Sequence, residues 1–225
     1  MARRHDLVRL APQGWDQVLL GLAGPGAAMA MTWKERDLPA VVRRTEPGTP
    51  PGMLCLGIPA PPDALSGRKL RVGFSADTGH VTALRPPLTL AEIVAPPAWQ
   101  PAVASLDLAL RDVELECRVF GSVAMQTLTG DPYLSAASDI DLLLRPASAA
   151  QLRAGLRQLE RHAAMLPLDG EIEFPSGHAV SWKEWLSVDT AEMHKGARVL
   201  AKHLDTVALV RCDALLAQLD GGADG

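Results

Sequence analysis

Gly121-Ser122 and Ser138-Asp139-Ile140-Asp141 are the residues whose types and spacing bear most directly on chemistry. Side chains alternate along a strand, so Asp139 and Asp141 point the same way with α-carbons roughly 6 to 7 Å apart, while Ile140 and Leu142 face the core. Two carboxylates so close repel unless a cation sits between them. Mg²⁺ prefers few carboxylates, completed by waters and substrate phosphates, and a two-metal site needs shared oxygens to hold its ions roughly 4 Å apart. An Asp-x-Asp strand supplies such oxygens, and the chemistry implied is metal-assisted nucleotidyl transfer. Upstream, Arg118-Val119-Phe120 reads as a strand end and Ser122 to Leu128 as a helix start. Gly121-Ser122 then stands where free backbone N–H groups receive a phosphate, and Gly121 lets it approach closely.

Positioning these residues requires a sheet with helices packed on it. The chain divides near residue 90. Residues 1–90 read as a small β-rich module, with strand-like runs over 40–44, 53–58, 70–74 and 80–84 separated by Pro/Gly clusters, and one helix over 13–22. Gly21, Gly24 and Gly26 around Pro25 read as a helix-ending turn, because no strand precedes them and their order fits neither a dinucleotide fingerprint nor a P-loop. Residues 91–225 alternate helices and strands: helix 100–112, strand 115–120, helix 122–128, strand 140–144, helix 148–165, strand 168–174, a turn at 175–177, strand 178–182, then helices through the last third and a frayed tail, Gly221 to Gly225. The fold class is α+β or α/β, a nucleotidyltransferase-like mixed sheet with helices preceded by the β-rich module.

A third carboxylate usually completes such a site, sharing a metal or accepting the attacking hydroxyl's proton. Leu168 to Phe174 alternates, with Asp169, Glu171 and Glu173 on one face and Leu168, Ile172 and Phe174 on the other. All three acids are candidates, and a plain polar strand face explains the same alternation. Arg43, Arg44, Arg68, Lys69 and Arg71 either pair substrate phosphates or form an ordinary charged sheet face. Arg153, Arg157 and Arg161 recur at i, i+4 and i+8, as a solvated helix face or one that steers an acidic protein partner. The histidines, including His178, His194 and His203, show no i, i+4 metal pairing and receive no role.

With 225 residues and 48% hydrophobic composition, the chain can bury a substantial core. A net charge of −4 argues against a non-specific grip on nucleic acid. Cys55, Cys117 and Cys212 lie far apart, which indicates neither a zinc site nor a disulfide framework and suits a reducing, cytoplasmic setting. Arg3-Arg4 is followed by no uninterrupted apolar core, so export is not expected. Gly24-Pro25-Gly26 interrupts the best apolar stretch, so no membrane span is expected.

The wording of the sequence adds to its pattern. Phe120-Gly121-Ser122-Val123-Ala124-Met125 through Leu134, Ser138-Asp139-Ile140-Asp141-Leu142-Leu143, Asp169-Gly170-Glu171, and Phe174 through Trp185 resemble the phosphoribosyl-dephospho-CoA transferases of bacterial malonate decarboxylase. That family is also called the malonate decarboxylase holo-acyl-carrier-protein synthase. Arg4 to Val8, Pro39 to Arg44, Gly67 to Arg71 and Val199 to Lys202 are similar to family segments too. Met125 stands where the family carries tryptophan, and Ile172-Glu173 where it carries an aliphatic pair.

The resemblance implies a reaction in which 2'-(5''-triphosphoribosyl)-3'-dephospho-CoA donates its phosphoribosyl-dephospho-CoA group to a serine of the apo acyl carrier subunit, releasing pyrophosphate. By that resemblance Asp139 and Asp141 hold Mg²⁺ (or Mn²⁺), and Gly121 and Ser122 grip the phosphates. Glu171, on the family's Gly-Glu, is the favoured third carboxylate, with Asp169 second. Lys202 matches a family lysine, read as a helix residue near the triphosphate. The arginine stripe at 153, 157 and 161 would then meet the carrier. Two other classes share the motif: a nucleotidyltransferase that adenylylates a protein or small molecule, and a non-catalytic nucleotide-binding module.

Overall fold

The computed structural model describes residues 2–63, 66–188 and 196–220. The expectations for His194 and for the tail from Gly221 lie outside the described residues, as does part of the helical reading of the last third. No helix among the described residues is long and apolar enough to cross a membrane.

The chain begins with strand β1 (Leu7–Leu10), helices α1 (Pro12–Leu20) and α2 (Gly24–Glu35), and strands β2 (Ala40–Val42), β3 (Met53–Pro62), β4 (Lys69–Asp77) and β5 (Val81–Arg85). The strands form an antiparallel sheet in the order β4-β3-β2-β1-β5. Alternation in β4 buries Val72, Phe74 and Ala76, which pack with Trp15, Val18 and Trp33 of the two helices. Two elements here escaped the sequence reading. β1 is a short apolar run beside the chain terminus. The Gly24-Pro25-Gly26 segment, expected only to end a helix, opens α2 instead: Gly24 lies at φ +55° and Pro25 occupies the first helical turn, where its missing N–H costs nothing.

The second half runs α3 (Gln100–Asp112), β6 (Glu116–Phe120), α4 (Gly121–Thr129), β7 (Ile140–Arg145), α5 (Ala149–His162), β8 (Leu168–Glu173), β9 (Ala179–Ser181), α6 (Trp182–Val188), β10 (Arg198–Lys202), β11 (Val207–Arg211) and α7 (Cys212–Asp220). Its strands lie in chain order across a mixed sheet: β7 and β8 are parallel, joined through α5, and the other neighbours are antiparallel. Ser148 caps α5 by accepting a hydrogen bond from the Gln151 N–H. Leu152, Leu156 and Leu159 of that helix join Ile140, Leu142, Leu144 and Ile172 in the core. The mixed α+β class is as expected, but the last third is not purely helical. The alternating runs at 198–202 and 207–211, rich in valine, pair as a β-hairpin, and Lys202 therefore sits on a strand.

The two sheets are joined by shared side chains and backbone. Leu88, just after β5, pairs with Val119 of β6. Met125 and Tyr133 are buried in the core of the first sheet, and the Tyr133 hydroxyl donates to the Pro59 carbonyl at 2.7 Å. Met125 thus serves as packing between the sheets.

One glycine sets the β7–β8 contact. Gly170 lies opposite Leu142 at φ +136°, and a Cβ there would stand 1.9 Å from the Leu142 carbonyl oxygen and 2.6 Å from its nitrogen. Backbone cannot yield as a side-chain tip does. We expect Gly170→Ala to lower stability by about 3 kcal/mol or more, measured by urea denaturation; a loss below about 1 kcal/mol would show that β8 can move away from β7.

Candidate active site

Strand register decides which acids meet. Asp141 pairs with Asp169, and Leu143 with Glu171. The carboxylates of Asp139, Asp141 and Asp169 each offer an oxygen within 4.8 Å of the others, with Asp139 exposed and the other two half-buried. Ligands on opposite sides of a Mg²⁺ stand about 4 Å apart at 2.0–2.1 Å each, so small side-chain rotations close the triad on one ion. Three hard oxygen donors with open sides suit Mg²⁺ or Mn²⁺.

Glu171, the favoured third carboxylate, stands one row further along the sheet and is already engaged. Arg4 Nη1 donates to it at 3.1 Å and Lys202 Nζ at 2.8 Å, and His5 Nε2 lies 3.5 Å away. Burial alone would raise its carboxyl, but His5, Arg4 and Lys202 outweigh that and hold it far below the usual carboxylate range. Glu173 is held by Arg145 at 2.8 Å and Arg3 at 3.4 Å. Both glutamates are less than a tenth exposed, which overturns the plain polar face: the chain's first residues cover it. The carboxylate left to join the Asp-x-Asp pair is Asp169, whose ion pair among the described residues is with Lys183 at 3.4 Å.

Gly121 begins α4 at φ +71°, and a Cβ on it would lie 1.8 Å from Asp141 Oδ2. Its neighbour Phe120 pairs with Asp141 across β6 and β7, so the start of the helix and the aspartate are pressed together by the register itself. Ser122 accepts a hydrogen bond from Lys69 Nζ at 2.8 Å, a lysine that reaches over from β4 of the other sheet.

These groups line a cavity of about 710 Å³ between the two sheets, with Arg4, His5, Arg43, Arg44, Lys69, Arg71, Gly121, Ser122, Asp141 and Lys202 on its wall. Of the basic residues expected to meet phosphates, Arg44, Lys69, Arg71 and Lys202 face it, whereas Arg68 is not on its wall. Arg43 is on the wall, but its guanidinium is spent on the Leu56 carbonyl at 3.0 Å and Glu46 at 2.6 Å. The Arg153, Arg157 and Arg161 stripe is exposed on α5, which packs on the Leu142 and Leu144 side of the sheet, away from Asp141. A carrier steered by that stripe would approach the wrong face. Arg4, His5 and Lys183 escaped the residue-by-residue reading because nothing in their local spacing links them to the acids they meet.

Burial, then the neighbouring Asp139 and Asp169 carboxylates, push the Asp141 pKa up to about 7 from 3.8. In the metal-free protein the folded state therefore holds a proton that the unfolded chain has released, and stability falls as pH rises from about 4 to about 7. At about 1.4 kcal/mol per pH unit the rise bounds the effect at about 4 kcal/mol. Asp141→Asn is expected to raise the melting temperature of metal-free protein at pH 8, to change it little at pH 4, and to abolish Mg²⁺-induced stabilisation; an unchanged melting temperature at pH 8 would show that the carboxylate carries no strain.

The chain is similar over most of its length to known proteins. Residues 3–87 match the family model for the phosphoribosyl-dephospho-CoA transferase MdcG N-terminal domain, and residues 84–213 that for its C-terminal domain. A phosphoribosyl-dephospho-CoA transferase of Xanthomonas campestris pv. campestris (strain 8004) is 37% identical over 190 residues, spanning 82% of this chain and 86% of the relative. One of Bradyrhizobium diazoefficiens is 36% identical over 215 residues, or 92% and 89% of the two chains. One of Pseudomonas putida (strain W619) is 30% identical over 217 residues, or 93% and 97%. No solved structure matches. Both sheets, and every residue of the acidic cluster and its basic cover, fall within the matched segments, and the chain belongs to the phosphoribosyl-dephospho-CoA transferase family.

Proposed function

We propose that this chain transfers phosphoribosyl-dephospho-CoA from 2'-(5''-triphosphoribosyl)-3'-dephospho-CoA to a serine hydroxyl on the apo acyl carrier subunit of malonate decarboxylase, releasing pyrophosphate. The observation that carries it is the meeting of Asp139, Asp141 and Asp169, with Asp141 pressed against the Gly121-Ser122 helix start on the wall of one cleft. Mg²⁺ (or Mn²⁺) held by the three aspartates would neutralise the triphosphate and stabilise charge on the departing pyrophosphate.

The chain's own residues do the rest. The backbone N–H groups that open α4 receive a phosphate oxygen, with Gly121 allowing the approach that a side chain would block. Lys69 is held at Ser122 and adds a positive charge beside the same oxygen. Arg44, Arg71 and Lys202 line the cleft where the remaining phosphates of a dephospho-CoA derivative would lie. Ile58, Val72 and Met125 give the cavity an apolar side suited to a base or an alkyl arm.

Intact mass of the apo carrier after incubation with this protein, Mg²⁺ and the triphosphoribosyl substrate tests the transfer. The expected result is a gain equal to one phosphoribosyl-dephospho-CoA, lost in an Asp139→Ala/Asp141→Ala variant; no gain, with substrate and carrier shown competent, would overturn it, and ATP consumption in its place would point to adenylylation. Lys69→Gln is expected to raise KM for the nucleotide substrate about 10- to 100-fold while leaving KM for the carrier near the parent value. Steady-state kinetics with each substrate varied decides this, and equal rises in both would remove Lys69 from the phosphate site.

A further inference from the structure

The transfer proposed above needs a group to take the proton of the acceptor hydroxyl. Glu171 was the sequence's candidate for such a role, but a carboxylate held by Arg4 and Lys202 is a poor proton acceptor. Between Glu171 and the cavity stands His5.

Its position follows from the sheet register. Phe120, Asp141 and Asp169 form one row across β6, β7 and β8, and Arg118, Leu143 and Glu171 form the next row on the same face. The His5 ring stacks on Phe120 of the first row, with centroids 3.9 Å apart, and approaches Glu171 of the second row through Nε2. Phe120 and Glu171 lie two strands apart, so the imidazole spans β7 close to where it carries Asp141. No hydrogen bond or ion pair among the described residues joins His5 to any of the three aspartates. Its side chain is 18% exposed and lines the cavity.

Two further features distinguish His5 from a packing histidine. It sits at φ +70°, a conformation that residues with a Cβ rarely adopt and that proteins retain mainly where position matters. The second is the division of labour between its ring nitrogens. Nε2 faces Glu171 and, at 3.2 Å, Arg4, whereas Nδ1 has no hydrogen-bond partner among the described residues. In the tautomer that carries its proton on Nε2, Glu171 accepts that proton, Arg4 Nη2 turns its own N–H to Glu171, and the Nδ1 lone pair is free for an incoming hydroxyl. Burial, and then Arg4, favour the neutral ring against the opposing pull of Glu171 and Glu173 and hold its pKa below the ordinary histidine value.

We infer that His5, oriented by Glu171 and stacked on Phe120, is a catalytic residue that accepts the proton of the acceptor hydroxyl. The hydroxyl oxygen forms a bond to the phosphorus nearest the ribose, and the bond from that phosphorus to pyrophosphate breaks, its electron pair leaving with pyrophosphate. The hydroxyl proton passes to His5 Nδ1 and goes to water as products depart. Glu171 acts through His5 as a positioning residue.

The test uses the full-length protein with Mg²⁺, the triphosphoribosyl substrate and apo carrier. His5→Gly keeps the positive φ without strain and leaves an imidazole-sized gap between Phe120 and Glu171. His5→Asn tolerates the same φ and can still donate to Glu171, but is not a base. Both are expected to lose about 10²- to 10⁴-fold in kcat while binding the nucleotide substrate within about threefold of the parent. Added imidazole is expected to restore part of the His5→Gly rate in proportion to its uncharged form, and to do nothing for His5→Asn. Either variant turning over within about threefold of the parent, substrate affinity falling in step with kcat, or a folded His5→Gly protein that imidazole does not rescue would each overturn the assignment. A parent protein that leaves the carrier's mass unchanged would instead overturn the transfer reaction itself, and the role of His5 with it.

Discussion

Repulsion among carboxylates is the constraint around which this structure is arranged. The parallel pair β7 and β8, with Asp139 just before β7, presents Asp139, Asp141, Asp169, Glu171 and Glu173 along one sheet face, and the two glutamates are buried there. Such a face is stable only if each charge finds a partner or a proton. The protein sorts the acids by position. Glu171 and Glu173, towards the interior, are matched by Arg3, Arg4, Arg145 and Lys202. Among the described residues the three aspartates at the strand ends make one ion pair, Asp169 with Lys183, while Lys69 opposes but does not cancel the repulsion at Asp141, which holds its proton up to about pH 7. An incomplete balance of charge is what a bound cation would complete there.

Two of the four matching cations come from the other half of the chain, which ties the site to the contact between the two sheets. Arg3, Arg4 and His5 precede β1, and Lys69 reaches Ser122 from β4, so the first sheet provides both a lid over the acids and a hand on the phosphates. Met125 and Tyr133, from the second half, are buried in the first half's core in return. Separating the halves would strip Arg4 from Glu171 and Arg3 from Glu173, leaving each glutamate with a single cation, and dismantle the cleft at the same time.

Close backbone approach is the other requirement. Gly121 admits Asp141 to the start of α4, and Gly170 admits Leu142 to β8, each where a Cβ would overlap its neighbour. The first was legible from the strand-glycine-serine-helix pattern, because a phosphate-binding turn calls for a glycine there. The second was not, since a glycine inside a strand signals only that something comes near. The helix α2 was missed for a related reason: glycine and proline both break helices in the middle and tolerate their beginnings, and composition does not say which end is at hand. The hairpin of β10 and β11 was missed because short alternating runs also satisfy a helical period when the intervening turn is brief.

What the sequence by itself determined was local and periodic: an Asp-x-Asp on an apolar strand, a glycine-serine turn before a helix, an alternating acidic strand, and wording that resembles one transferase family. Alternation in that strand puts Asp169, Glu171 and Glu173 on one face, and no one-dimensional pattern separates them. Only the tertiary structure decided among them, because the choice depends on which residue of β8 stands opposite Asp141 and on which cations lie above each acid. His5 belongs to the same category. Its neighbours Phe120 and Glu171 are more than a hundred residues away in the chain, and a side chain's chemistry is set by what folding brings beside it.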